Sequence, residues 1–122
     1  MEENNLMKFE ANGFCPVRDV LARMGDKWSV LVLTTLKVNG KLRFSNIKKT
    51  IGDVSQRMLT VTLRSMEADG IIRREIYAEV PPRVEYELTE LGDSLYPHIQ
   101  NLVKWAKNNM DTIMESRKKF KK

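Results

Sequence analysis

The sequence predicts a mainly α-helical domain with one small antiparallel β-hairpin, and three segments carry that prediction. Residues 55–69 show an amphipathic helical pattern with a capping residue at each end. Residues 71–88 read as two short strands joined by a proline-braced tip. From Leu91 onward, apolar residues recur every three or four positions for more than twenty residues, as on one face of a long helix. The chain has 122 residues, 42% of them hydrophobic, which suits a single domain with a modest core.

The elements follow in order. Pro16 suits the first position of a helix, because its missing N–H would have no partner there anyway. Val17, Val20, Leu21 and Met24 form that helix's apolar face, expected to meet the core, and Gly25 ends it. Asp26 can cap the next helix, Lys27 to Lys37. Trp28, Val30, Leu31, Val32, Leu33 and Leu36 make it apolar on most sides, so it should lie centrally. Asn39-Gly40 marks a turn, and Lys41-Leu42-Arg43 can add a short third strand beside the hairpin. Phe44 to Thr50 reads as a short helix with Ser45 as its cap and Phe44, Ile47 and Ile51 as its apolar contacts. Gly52-Asp53 is the following turn.

Ser55 caps the next helix, and Asp69-Gly70 stops it. Leu59, Thr62, Leu63 and Met66 share one face; Arg57, Thr60, Val61 and Arg64 share the other. Arginines pair with guanine edges, and threonine or valine methyls touch thymine methyls, so this second face suits a major groove. An ordinary solvated helix face is the competing reading. A short helix, a tight turn and a polar-faced second helix make a helix-turn-helix. Ser45, Lys48, Ser55 and Gln56 complete the expected DNA-contacting set with Arg57, Thr60, Val61 and Arg64. Residues 41–64 hold six basic side chains against Asp53 alone, a local net charge of +5. This concentration is more telling than the overall +5, because the last six residues supply five positive charges by themselves.

Ile71–Tyr77 and Val84–Leu88 have strand composition, and the second alternates cleanly. Ala78–Arg83 is the expected tip, where two prolines stiffen the chain and remove two donors. Arg83 at such a tip is expected to meet a phosphate or a narrow minor groove. With this wing, the fold class becomes a winged helix-turn-helix.

Thr89 is a good N-cap for the final helix, with Gly92 in its first turn and Pro97 as a candidate kink. Leu91, Leu95, Ile99, Leu102, Ala106, Met110 and Ile113 form its stripe. So small a domain cannot cover so long a helix, so the stripe is expected to pack against a second copy. Val17, Leu21, Leu95, Ile99, Leu102 and Ala106 are the expected dimer residues of the N- and C-terminal helices. The domain core is expected over residues 14–107, with a flexible arm at 1–13 and a basic tail at 116–122.

Other functional classes find little support. No apolar run approaches the roughly 20 residues a membrane helix needs. The acidic start, Met1-Glu2-Glu3, is unlike a signal peptide, so a cytoplasmic protein with no membrane partner is expected. One cysteine allows no internal disulfide. A Cys15–His98 dyad is chemically conceivable, but no orienting third group, metal-spaced cluster or glycine-rich phosphate loop accompanies it. Hence no enzyme, no metal and no cofactor are expected. A protein-interaction module on the same scaffold is the remaining alternative, and the concentrated basic face argues against it.

Many spaced motifs resemble one family. They are Cys15-Pro16-Val17, Gly25-Asp26-Lys27-Trp28, Arg43-Phe44, Ser55, Leu59-Thr60, Leu63 and Asp69-Gly70-Ile71-Ile72-Arg73. Tyr77, Glu79-Val80-Pro81-Pro82-Arg83-Val84-Glu85-Tyr86, Leu88-Thr89, Gly92 and Trp105 continue the pattern. Over residues 14–107 the chain resembles the HxlR-type winged helix-turn-helix regulators, a branch near the MarR-like regulators. The resemblance implies a homodimeric transcription factor that binds double-stranded DNA. Its reading helix would enter the major groove, and its wing would lie on the flanking backbone. Some relatives sense electrophiles or oxidants through a cysteine at the position of Cys15. Here a helix N-terminus and Arg18 would favour the thiolate, whereas a small buried packing residue is the plainer reading. An oxidant or small-molecule effector is therefore an open expectation.

Overall fold

The computed structural model describes residues 15–121. Five helices and three strands follow one another as α1 (Pro16–Met24), α2 (Lys27–Asn39), β1 (Leu42–Arg43), α3 (Phe44–Ile51), α4 (Gln56–Ala68), β2 (Ile72–Tyr77), β3 (Arg83–Leu88) and α5 (Glu90–Phe120). The strands form one antiparallel sheet in the order β1-β3-β2. Ile72 pairs with Leu88 at the base of the hairpin and Tyr77 with Arg83 near its tip. Leu42 and Arg43 pair with Tyr86 and Glu85, so the third strand expected beside the hairpin is present.

α2 forms the centre. Val32, Leu33 and Leu36 are buried and meet Ile47 of α3, Leu59, Leu63 and Met66 of α4, and Ile71 and Ile72. Fully burying side chains of this kind contributes about 1.5–3 kcal/mol each before entropy is counted. Asp26 caps α2 by accepting from Ser29 N at 2.8 Å, and the Ser29 hydroxyl is buried against the same carboxylate. α2 runs two residues beyond the expected Lys37, to Asn39.

A tight knot joins the reading helix to the wing and to α5. Gly70 takes φ +76°, a conformation that disfavours other residues, and turns the chain from α4 into β2. Thr89 caps α5 by accepting from Gly92 N, while its hydroxyl donates to the carbonyls of Gly70 and Ile71. Gly92 is buried so closely that a Cβ there would lie 2.3 Å from the Ile71 carbonyl oxygen.

One expectation about an apolar face needs correction. On α1 only Met24 is buried; Val17, Val20 and Leu21 are exposed instead of meeting the domain's own core. On α5 the stripe divides. Leu95 and Ile99, expected at the dimer interface, pack partly buried against the core of their own chain. Beyond them Leu102 is 62% exposed and Trp105 56%. α5 spans 31 residues, roughly 46 Å at 1.5 Å per residue, and runs through Pro97 to Phe120. Residues 116–120, the start of the basic tail, continue the helix. The arm expected at residues 1–13 lies outside the described residues.

Candidate nucleic-acid interface

α4 is built as a two-faced helix. The Ser55 hydroxyl accepts from Met58 N at 3.0 Å, a cap worth about 1 kcal/mol. Leu59, Thr62, Leu63 and Met66 are all buried, which locks the rotation of the helix. Gln56, Arg57, Thr60, Val61 and Arg64 consequently face outward, all exposed. The Thr60 hydroxyl donates to the Gln56 carbonyl at 2.9 Å. Met58, 41% exposed at the start of α4, joins this surface; its single apolar side chain gave no signal in the sequence.

α3 lies just before the turn that leads into α4, and it carries Lys48 half-buried and Lys49 exposed in its last turn. Ser45 does not cap it. Arg43 occupies the cap position without a side-chain bond, and Ser45 is exposed within the first turn. Among the described residues no carboxylate lies within ion-pair distance of Lys48, Lys49, Arg57 or Arg64. Lys41 leaves the expected patch. It binds Glu75 at 2.9 Å and the Tyr77 hydroxyl at 2.8 Å. The Tyr77 bond first, then Glu75, raises the Lys41 pKa above its ordinary value; in return Lys41 holds the Glu75 carboxyl below the usual range.

The wing is not the basic finger that the sequence suggested. Residues 72–88 hold three arginines against four glutamates. Arg83 ends the tip as the first residue of β3, opposite Tyr77. Its guanidinium lies 4.1 Å from the Tyr77 ring centre, Nη1 donates to Glu79 at 2.6 Å, and Nε is 3.1 Å from Glu85. Arg73 is likewise bound, by Glu87 across the strands at 3.0 Å. Period-two alternation placed these charges on one face of the hairpin, but only the register shows that they neutralise one another.

Exposed apolar residues on the two terminal helices include Val17, Val20 and Leu21 on α1, and Leu102, Val103, Trp105, Met110 and Met114 on α5. Ala106 is half-buried between them. Arg23 ties α1 to the end of α4. It binds Asp69 at 2.6 Å and Ser65 at 3.2 Å, and the Asp69 bond raises its pKa. Cys15 occupies the N-cap of α1, is 3% exposed, and accepts from Asp19 N through its carbonyl. His98 lines a separate groove between α1 and α5. Among the described residues, no three His, Cys, Asp or Glu side chains gather as metal ligands do, and no helix is long and apolar enough to cross a membrane.

Against known proteins, residues 23–114 match the family model described as HxlR-like helix-turn-helix. The chain belongs to this family. A helix-turn-helix-type transcriptional regulator of Methanothermobacter thermautotrophicus is 54% identical over 93 residues, which cover 76% of this chain and 70% of that one. The regulator YtfH of Escherichia coli is 37% identical over 117 residues, covering 96% of this chain and 89% of its own. Among solved structures, the redox regulator HypR in its reduced form is 40% identical with a TM-score of 0.75, covering 82% of this chain and 98% of its own. HypR in its oxidised form is 42% identical with a TM-score of 0.70, covering 78% and 97%. This HxlR-family chain is accordingly a transcriptional regulator of helix-turn-helix type.

Proposed function

We propose that this regulator binds DNA sequence-specifically as a homodimer on a roughly palindromic operator in the cytoplasm. The observation that carries the proposal is the exposed face of α4. Its rotation is set by four buried side chains, and the face presents Arg57, Thr60, Val61 and Arg64 with no acidic neighbour in ion-pair range among the described residues. In the major groove the arginines would read guanine edges, and Thr60 and Val61 would read thymine methyls. Gln56, Ser45 and Lys48 would position the helix on the backbone. Dimerisation is supported by the exposed apolar residues of α1 and of α5 beyond Ile99, which one chain leaves uncovered. Equilibrium titration of the full chain against duplexes enriched from a random pool tests the proposal. Affinity should fall steeply with salt, and a specific duplex should outcompete unrelated DNA. Equal affinity for all duplexes would leave only a non-specific basic surface.

Redox control through Cys15 belongs to the same proposal. It is supported by the cysteine's place at the start of α1 and by the likeness to HypR, a redox regulator with both an oxidised and a reduced structure. The thiol is buried, so an oxidant reaches it only when the start of α1 opens. Because Arg23 links α1 to the end of α4, movement of α1 would be felt by the reading helix.

A further inference from the structure

A polar cleft of about 530 Å³ separates α4 from the sheet and is lined by Phe44, Thr60, Arg64, Glu67, Arg74 and Tyr86, with Ala68 at its edge. The pleat explains its chemistry. Arg73, Glu75 and Tyr77 fall on the outer face of β2, with the ion pairs described above. Arg74 falls on the inner face, shared with the buried Ile72, and pairs across the strands with Tyr86. An arginine on the core-facing side of a sheet is out of place unless it has a partner. The partner that the structure provides is weak: Nε lies 3.5 Å from Glu67, beyond the usual length of a charge-assisted bond, and both side chains are more than a third exposed. Arg64 also lines the cleft, and among the described residues no acid lies in ion-pair range of it. Burial pushes the Tyr86 phenol above its ordinary pKa, and the phenol can donate a hydrogen bond into the cleft.

We infer that this cleft is a phosphodiester seat, in which Arg74 and the Tyr86 hydroxyl hold one backbone phosphate of bound DNA. The Arg74 guanidinium fork supplies only donors and the Tyr86 phenol can donate beside it, which matches a small tetrahedral anion. The cleft opens beside Thr60 and Arg64 of the reading face, so a strand leaving the major groove passes it. Arg83 and Arg73, each held by glutamate at 2.6–3.1 Å, are not available for that task without breaking a bond. The wing thereby acts as a wall that positions Arg74, and Glu67 acts as the anion's placeholder until DNA arrives. This inference rests on the DNA-binding reading of α4.

The test is a set of salt titrations of the full chain on a selected duplex and on an unrelated one, with melting curves to confirm folding. Arg74→Ala should weaken both duplexes alike by about tenfold. It should also reduce the slope of log K against log salt by about one, the mark of a lost phosphate contact. Arg74→Lys should keep the slope, and Arg83→Ala should leave it unchanged. Glu67→Gln removes the competing carboxylate and should tighten both complexes. The seat is overturned if Arg74→Ala keeps the wild-type slope, or if Arg83→Ala loses the unit instead. Should Arg74→Ala fail to fold, Glu67→Gln decides alone: unchanged or weaker binding overturns the seat. Inorganic phosphate provides a separate arm. Saturable movement of the Tyr86 ring resonances by phosphate, with no effect of Arg74→Ala on DNA, would make the cleft a free-anion site and refute the duplex assignment. Wild-type protein with no salt-dependent binding would refute the DNA reading itself and the seat with it.

Discussion

Gly92→Ala separates two effects of opposite sign. In an exposed helix, replacing glycine by alanine stabilises by about 0.8–1 kcal/mol. Here the new Cβ would sit 2.3 Å from the Ile71 carbonyl oxygen and 3.2 Å from Leu88. That carbonyl cannot simply retreat, because it accepts from both the Thr89 N–H and the Thr89 hydroxyl. Overpacking of this kind costs about 1–3 kcal/mol, and a shift large enough to relieve it would break the Thr89 cap as well, about 1 kcal/mol more. The clash should therefore win, leaving a net destabilisation of about 1–3 kcal/mol. For a chain of this size that lowers Tm by roughly 4 °C per kcal/mol. Thermal melts at one fixed protein concentration would read it, since dimerisation makes Tm depend on concentration. A variant that melts at or above the wild-type temperature would show that α5 is not locked against the root of the wing, and the described junction would be wrong.

Other outcomes follow from the same geometry. Arg57→Ala and Arg64→Ala remove exposed side chains that make no ion pair among the described residues, so melting should change by no more than about 0.5 kcal/mol. Each should nonetheless cost about 1–3 kcal/mol of specific DNA affinity and relax one position of the site. A chain ending at residue 100 keeps Leu95 and Ile99 on the core and loses Leu102, Trp105 and Met110; sedimentation should find a soluble monomer, and a dimer would exclude the outer part of α5 from the interface. Cys15→Ser should abolish any change in DNA affinity on treatment with a mild oxidant, and identical responses of the two proteins would make Cys15 a packing residue. Glu75 is harder to protonate in the folded wing than in the unfolded chain, so its contribution is fully present above the ordinary glutamate pKa of about 4.3 and is lost as pH falls through the lower native value. Amide exchange of β2 and β3 should accelerate across that acid window, and Lys41→Met should remove much of the dependence.

What the sequence reveals and what it hides divide by range of interaction. The caps of α4, its buried face and its exposed face depend on spacing within thirteen residues, and the structure shows each where the pattern placed it. The hairpin and the short β1 strand were legible for the same reason. Arg83 was not, because its stacking on Tyr77 depends on the strand register and its bond to Glu79 on the path of the tip. Arg74 was passed over because two adjacent arginines look alike in sequence, whereas the pleat sends them to opposite faces. Helical period also cannot say how far the core extends beneath a stripe, so Leu95 and Leu102 read the same although the first packs on its own domain and the second does not. The basic end of α5 read as a tail, yet arginine and lysine suit the negative end of a helix dipole, and the helix runs on to Phe120.

The most direct test of the account is selection of duplexes from a randomised pool by the full-length chain, followed by titration of the winning sequence with wild type and with the Arg57→Ala/Arg64→Ala double variant. The account predicts two related half-sites in inverted orientation, about 10 bp apart or a multiple of it, bound by the wild type and lost to the level of unrelated DNA by the double variant. Failure of any sequence to enrich, or equal binding of that sequence by both proteins, would contradict the assignment of α4 as the reading helix.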